Sequence, residues 1–212
     1  MPVAFRQKLN EYFRANIVAY FFMTLIFIVG VVIGALAVKT LPEDQKIELV
    51  GYLKLFFQGL QQRPTNVGDF DLFGIVLINN LKTVILMWLF GFTVVGIPIV
   101  LFIVFTRGFV IGFTVGFLIN EYVIKGLAFA LTAILPHNFF AVPAVLVTGV
   151  SATAYSLMLV RRRGRGKVNL MYESIGYTVV CLMMLAVMVF SAIIEVYISP
   201  VFMKLVAEML IN

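Results

Sequence analysis

Between Ile134 and Val150 the chain reads ILPHNFFAVPAVLVTGV, which sets Pro136, the only histidine (His137), Asn138 and Pro143 into an otherwise apolar run. Proline removes a backbone donor and disturbs a helix. In lipid every freed carbonyl needs a partner, so polar side chains beside prolines have work to do. His137 has three readings: it hydrogen-bonds freed carbonyls, it contacts a partner or substrate, or it relays protons. Asn138 suits capping or a turn, because its amide satisfies exposed backbone groups. Asn79 and Asn80 read as a cap or as hydrogen bonds between helices. Glu195, near the end of the last apolar run, is either hydrated at the interface or buried against Asn80, Lys82 or His137. Glu121 and Lys125 stand four apart in the order that favours an ion pair on one helix turn, a candidate intramembrane pair.

Catalysis is hard to assemble from this inventory. One histidine forbids a two-histidine metal site, and no zinc helix, Walker loop or dinucleotide fingerprint occurs. Ser151 lies in GVSAT, which lacks the second glycine of a nucleophile elbow. A Ser–His pair through His137 would still lack a third member. The expectation is a protein without catalytic residues, cofactor or metal.

The elements that position these residues are membrane spans. Hydrophobic residues make up 62% of the 212 and charged residues 12%, against roughly 45–50% and about 25% in soluble domains. Mean hydropathy is +1.07, which leaves room for several spans and no separate soluble domain of ordinary size. The single cysteine, Cys181, can form no intrachain disulfide.

The fold expected is all-α: one polytopic membrane domain over 1–212, with about five transmembrane helices. The first apolar run, 17–38, follows Arg6, Lys8 and Arg14. Its length exceeds the apolar core of a signal peptide, so it reads as an uncleaved span. An outward loop over 39–71 holds an amphipathic helix between Pro42 and Arg63-Pro64, lying on the membrane or packed on the spans. Span 2 covers 72–105, with Lys82 snorkelling near its start, a bend at Gly96-Ile97-Pro98 and Arg107 as its end. Span 3 covers 108–135. It is either one long span with a buried Glu121–Lys125 pair or two short helices meeting at an interface, and the second is preferred. Gly108, Gly112 and Gly116 make a flat face for close helix packing. A broken or re-entrant segment is expected around 134–143. Span 4 covers 139–160, a cytoplasmic loop 161–173 carries five basic residues in seven, span 5 covers 174–198, and 199–212 is an outward tail. The basic residues then place the N-terminus in the cytoplasm, and the net charge of +6 needs no nucleic acid.

Four stretches together resemble a known family: NNLKTVILMWLFGFTVVGIPIVL, TRGFVIGFTVGF, LPHNFFAVPA and SAIIEVYISP. They are similar to the stage II sporulation protein M family of bacterial membrane proteins, over nearly the whole chain. Where many members carry a glycine after the histidine and a glutamate two residues before the second proline, this chain has Asn138 and Ala141. The resemblance implies a non-enzymatic scaffold for engulfment during sporulation, in the septum and engulfing membrane of the mother cell. Its implied partners are two membrane-anchored peptidoglycan hydrolases, stage II sporulation proteins D and P. The lipid bilayer and a second copy, forming a homodimer, are the other partners expected. The competing reading is a transporter or channel for an ion, lipid or small molecule, using Asn80, Lys82, Glu121, Lys125, His137 and Glu195.

Overall fold

The computed structural model describes residue 14 and residues 16–62, 69–161 and 170–201, which are helical almost throughout and contain no strand. The helices are α1 (Ile17–Ala37), α2 (Glu43–Gln62), α3 (Asp69–Gly91), α4 (Gly96–Phe129), α5 (Leu135–Arg161) and α6 (Leu170–Ile193). Two π-helical turns interrupt them, Ala130–Ile134 before α5 and Ile194–Ile198 after α6. A helix satisfies its backbone internally, which is why these Val- and Ile-rich runs are helical despite modest intrinsic propensity.

Four stretches are long and apolar enough to cross a membrane: Ile17–Thr40, Phe73–Gly91, Gly96–Val160 and Leu170–Val201. The third has 65 residues, far more than the ~20 that one crossing needs. It reverses at Val123, whose φ of 49° and ψ of −117° are non-helical. The reversal is tight: Leu118 packs in one cluster with Phe129, Ala130 and Ala133, residues that a straight helix would carry more than ~15 Å away. A Cβ at Gly126 would meet the Leu118 carbonyl, so only glycine fits there. The chain therefore crosses five times.

These crossings correct the expected boundaries. Span 2 does not run on to Phe105, because α3 ends at Gly91 and the chain turns through Phe92–Val95. Thr93 N–H donates to Phe90 O at 3.0 Å and Gly96 N–H to Thr93 O at 3.1 Å, while a Cβ at Gly96 would strike the Phe90 carbonyl. Pro98 falls in the first turn of α4, where a missing N–H is harmless. Span 3 is thus the first part of α4, from Gly96 to the reversal. Between 134 and 143 there is no break or re-entrant loop: the π turn passes straight into α5, Pro136 sits in its first turn and Pro143 lies inside it. The break expected there occurs eleven residues earlier, at Val123.

α1 and α4 form the closest pair. Gly30 and Gly34 face the Phe105 and Phe109 backbone, and Gly108, Gly112 and Gly116 face Phe27, Val31 and Ala35. Both series rise together, so the two helices run parallel. Beside this contact Phe105, Phe109, Phe113 and Phe117 form a ladder with ring centroids 6.1–6.4 Å apart. The core lies where four helices meet around Gly149, whose neighbours are Met87 Cε, Val104 Cγ2 and Met23 Sδ. α5 and α6 pack antiparallel, joined by Tyr155–Ser174 at one end (2.5 Å) and by Ser191 to the His137 carbonyl at the other (2.8 Å).

The expected amphipathic helix is α2. It opens on Glu43 and Asp44, favourable at a helix N-terminus, and Leu53 packs on the Leu118–Phe129 cluster at the tip of the α4–α5 hairpin. Several earlier readings lie outside the described residues: Arg6 and Lys8, the Arg63-Pro64 stop, residues 162–167 of the basic cluster, and the tail from 202 onward.

Candidate functional site

The polar residues of four helices converge inside the bundle. On α3, Thr83 Oγ1 donates to the Asn79 carbonyl at 3.1 Å. Arg107 of α4 reaches across: its Nη2 donates to the Thr83 hydroxyl and lies 3.5 Å from the same Asn79 carbonyl. Arg107 was expected to end a span at the cytoplasmic face. It lies instead eleven residues into α4, about 17 Å from Gly96 at 1.5 Å per residue, near the middle of a core of about 30 Å. Charge alone reads as an interface signal; depth is set by the turn at Phe92–Val95, which a local pattern did not place. Arg107 and Thr83 are therefore the site residues that the sequence reading missed. Their nearest signal was the polar spacing of Asn79, Asn80 and Thr83 on one helix.

Glu195 joins from the π turn after α6, within electrostatic reach of both Arg107 and His137. It is half-buried. Of its three expected partners, His137 is the one at hand, and Arg107 replaces Asn80 and Lys82. Ser191 and Ser199 stand four residues to either side of Glu195 and are fully buried, extending a polar stripe along α6.

His137 and Asn138 follow the other π turn. Asn138 Nδ2 donates to the Ile134 carbonyl at 2.8 Å and lies 3.0 Å from His137 Nε2. His137 Nδ1 is buried near the Ala133 carbonyl but makes no hydrogen bond of good geometry. Asn138 and Ser191 each add a side-chain donor to a helix carbonyl, those of Ile134 and His137, while the imidazole lies within electrostatic reach of Glu195 and Arg107. Asn80 is buried too, 6% exposed, with its Nδ2 unpartnered. π turns recur where a helix must re-aim side chains at a functional site, and both of them here flank His137 and Glu195.

The remaining candidates lie elsewhere. Glu121 and Lys125 are separated by the reversal at Val123 and form no ion pair; Glu121 accepts from Asn120 Nδ2 at 3.0 Å, and Lys125 is exposed. The candidate intramembrane pair is therefore corrected to two charges at a hairpin tip, as the two-helix alternative has it. Gly108, Gly112 and Gly116 pack against α1 of the same chain. Ser151 lies fourteen residues from His137 on α5, about 21 Å away, and makes no pair with it. Among the described residues no group of three or more His, Cys, Asp or Glu could hold a metal ion.

At the far side of the hairpin tip, α2 and Glu121 enclose a groove of about 440 Å³ lined by Glu43, Lys46, Ile47, Val50, Gly51 and Lys54. At the opposite end of the bundle Trp88, Phe92, Tyr155 and Tyr177 form an aromatic cluster, with Tyr155 and Tyr177 stacked at 4.8 Å. Tyr177 Oη donates to the Trp88 carbonyl at 2.9 Å, fixing α6 to the end of α3.

Residues 23–200 match the family model of stage II sporulation protein M. The chain belongs to this family. It is a sporulation-related, multi-pass membrane protein. Comparison with curated proteins and with solved structures gives no match. The matched span begins in α1 and ends after the second π turn, so it contains the whole polar cluster and the glycine contact.

Proposed function

We propose that the protein is a non-enzymatic scaffold of the engulfment machinery, which recruits and positions the septal peptidoglycan hydrolases, stage II sporulation proteins D and P, in the mother-cell membrane. The family match over residues 23–200 carries this reading. The geometry supports it in two ways. Among the described residues the buried polar groups tie helices together, as Arg107 does for α3 and α4, and the exposed structure at one end is a surface suited to protein contact. That surface is the α2 groove with Glu43, Lys46, Lys54 and Glu121, reached from outside the cell if the N-terminus is cytoplasmic.

Co-purification from mild detergent with each full-length hydrolase tests the reading. Retention of both by the intact protein is the expected result. Charge reversal at Glu43, Lys46 and Lys54 together should abolish it.

A second reading, transport, is favoured by one observation: Asn80 Nδ2 is buried without a hydrogen-bond partner, and the half-buried His137 lies within electrostatic reach of Glu195 and Arg107. Such groups line translocation paths as well as structural cores. Flux of ions or lipid through reconstituted protein, lost in Glu195→Gln, would establish it over the scaffold.

A further inference from the structure

Lys82 stands near the middle of α3. Phe73–Gly91 has 19 residues, and Lys82 is nine from either end, about 14 Å at 1.5 Å per residue. The whole helix, Asp69–Gly91, has 23 residues and is about 34 Å long, and the sequence places two acids, Asp69 and Asp71, in its first turn, so sliding far enough to bring Lys82 to an interface would pull those acids into a core of about 30 Å or leave the other end outside it. The lysine stem, about 6 Å, does not span that distance, which overturns the expectation of a snorkelling residue near the start of its helix. Yet Lys82 is exposed, as is Asn79 one turn away, and both lie among the lipid-facing residues Ile78, Ile85 and Leu86 of α3.

A cation in that position is costly in hydrocarbon unless another group covers it. The surrounding charge is unbalanced: Lys82 and Arg107 are two cations at this depth, and Glu195 is the carboxylate within reach of Arg107. Between α3 and α6 runs an apolar groove of about 420 Å³, lined by Val84, Ile85, Trp88, Cys181, Leu182 and Leu185 together with Thr178; Ile85 in its wall lies one helical turn from Lys82. It extends from Trp88 and Thr178, which are hydrogen-bonded at 3.2 Å, toward the level of Lys82. The groove supplies an apolar seat and the lysine a point of charge above it.

We propose that this face receives a transmembrane helix of another protein that carries a carboxylate near its middle, seated along the α3–α6 groove with its acid against Lys82. A second copy of this chain lacks the required group. Among the described residues Glu121 is at the hairpin tip, Glu173 opens α6, and Glu195 is half-buried within electrostatic reach of Arg107 and His137 of its own chain. None is an exposed acid at the middle of a span. That the helix belongs to a membrane-anchored hydrolase rests on the scaffold reading; the preference of the face for a central acid does not.

Trp88, the only tryptophan, lines the groove and serves as the reporter. The full-length protein is reconstituted in liposomes with tryptophan-free Leu/Ala transmembrane peptides bearing a dansyl acceptor and either a central Glu or a central Leu. Energy transfer from Trp88 should show binding of the Glu peptide at least about tenfold tighter than the Leu peptide. Lys82→Leu should erase that preference and Lys82→Arg should keep it, with unchanged helical content in both. Equal binding of the two peptides, or a preference that survives Lys82→Leu, overturns the proposal. So does a disulfide-linked dimer formed by Leu86→Cys in a Cys181→Ser background, because it shows the face covered by a second copy. Peptide binding with no hydrolase co-purification would overturn the scaffold reading and leave this one standing.

Discussion

Arg107 on α4 donates a hydrogen bond to the hydroxyl of Thr83 on α3, 24 residues earlier, at a depth where neither residue meets bulk water. The same guanidinium lies by the Asn79 carbonyl and within electrostatic reach of Glu195. One side chain thereby joins α3, α4 and the end of α6. Removing a charge partner inside a membrane leaves the other uncompensated, which is worse than losing an ordinary contact.

Arg107→Met should destabilise the bundle by several kcal/mol on that ground. Thr83→Val should cost about 1.5–3 kcal/mol, the range for a hydrogen bond to a charged group. Equilibrium unfolding in mixed micelles measures both. Arg107→Met combined with Glu195→Gln should recover part of the loss; full additivity would show that Glu195 does not sense Arg107.

Gly112→Val should loosen α1 from α4, because a Cβ at this position meets the Val31 backbone. Overpacking of this kind costs about 1–3 kcal/mol. Gly176→Ala is the control, with nothing within 4 Å of its Cβ, and should leave the melting temperature unchanged or slightly higher.

Val123→Gly should raise stability by roughly 1 kcal/mol, because a β-branched residue at φ 49° is strained and glycine is not. Pro143→Ala should preserve the fold and activity, since Pro143 lies within a continuous helix and the exchange restores a backbone donor. A collapse of the protein on Pro143→Ala would instead indicate a proline-built turn. Thermal melts with circular dichroism distinguish these outcomes.

Trp88→Phe removes the hydrogen bond to Thr178 and should cost about 1 kcal/mol. Thr178→Val removes the same bond and leaves the indole in place, so its fluorescence should change while the melting temperature falls by a similar amount. An unchanged spectrum would mean that the α3–α6 contact is not made.

The glycine face was legible in the sequence because a four-residue repeat of glycine has one consequence on a helix, close backbone approach. The amphipathic α2 was legible from its polar flanks and apolar face. The break of 108–135 into two helices was legible from Glu121 and Lys125, which need water, but its residue, Val123, was not, since no proline or glycine occupies the turn itself and Gly126 comes three residues later. The Pro136–Pro143 motif misled in the opposite direction: prolines mark backbone donors that are missing, yet Pro136 sits in the first turn of α5 after a π turn and Pro143 is held inside that helix without a break. Arg107 was misplaced because the positive-inside rule ranks loops by charge and says nothing about a cation whose acceptors lie 24 and 28 residues away on another helix. Lys82 was seen but assigned the wrong depth for the same reason, an unlocated turn at Phe92–Val95.

The scaffold account is tested most directly by co-purification of the intact protein with each full-length hydrolase, in parallel with the Glu43, Lys46 and Lys54 charge-reversal variant. The account predicts that both hydrolases are retained by the native protein and lost from the variant, whose helical content is unchanged. Failure of the native protein to retain either hydrolase would contradict it.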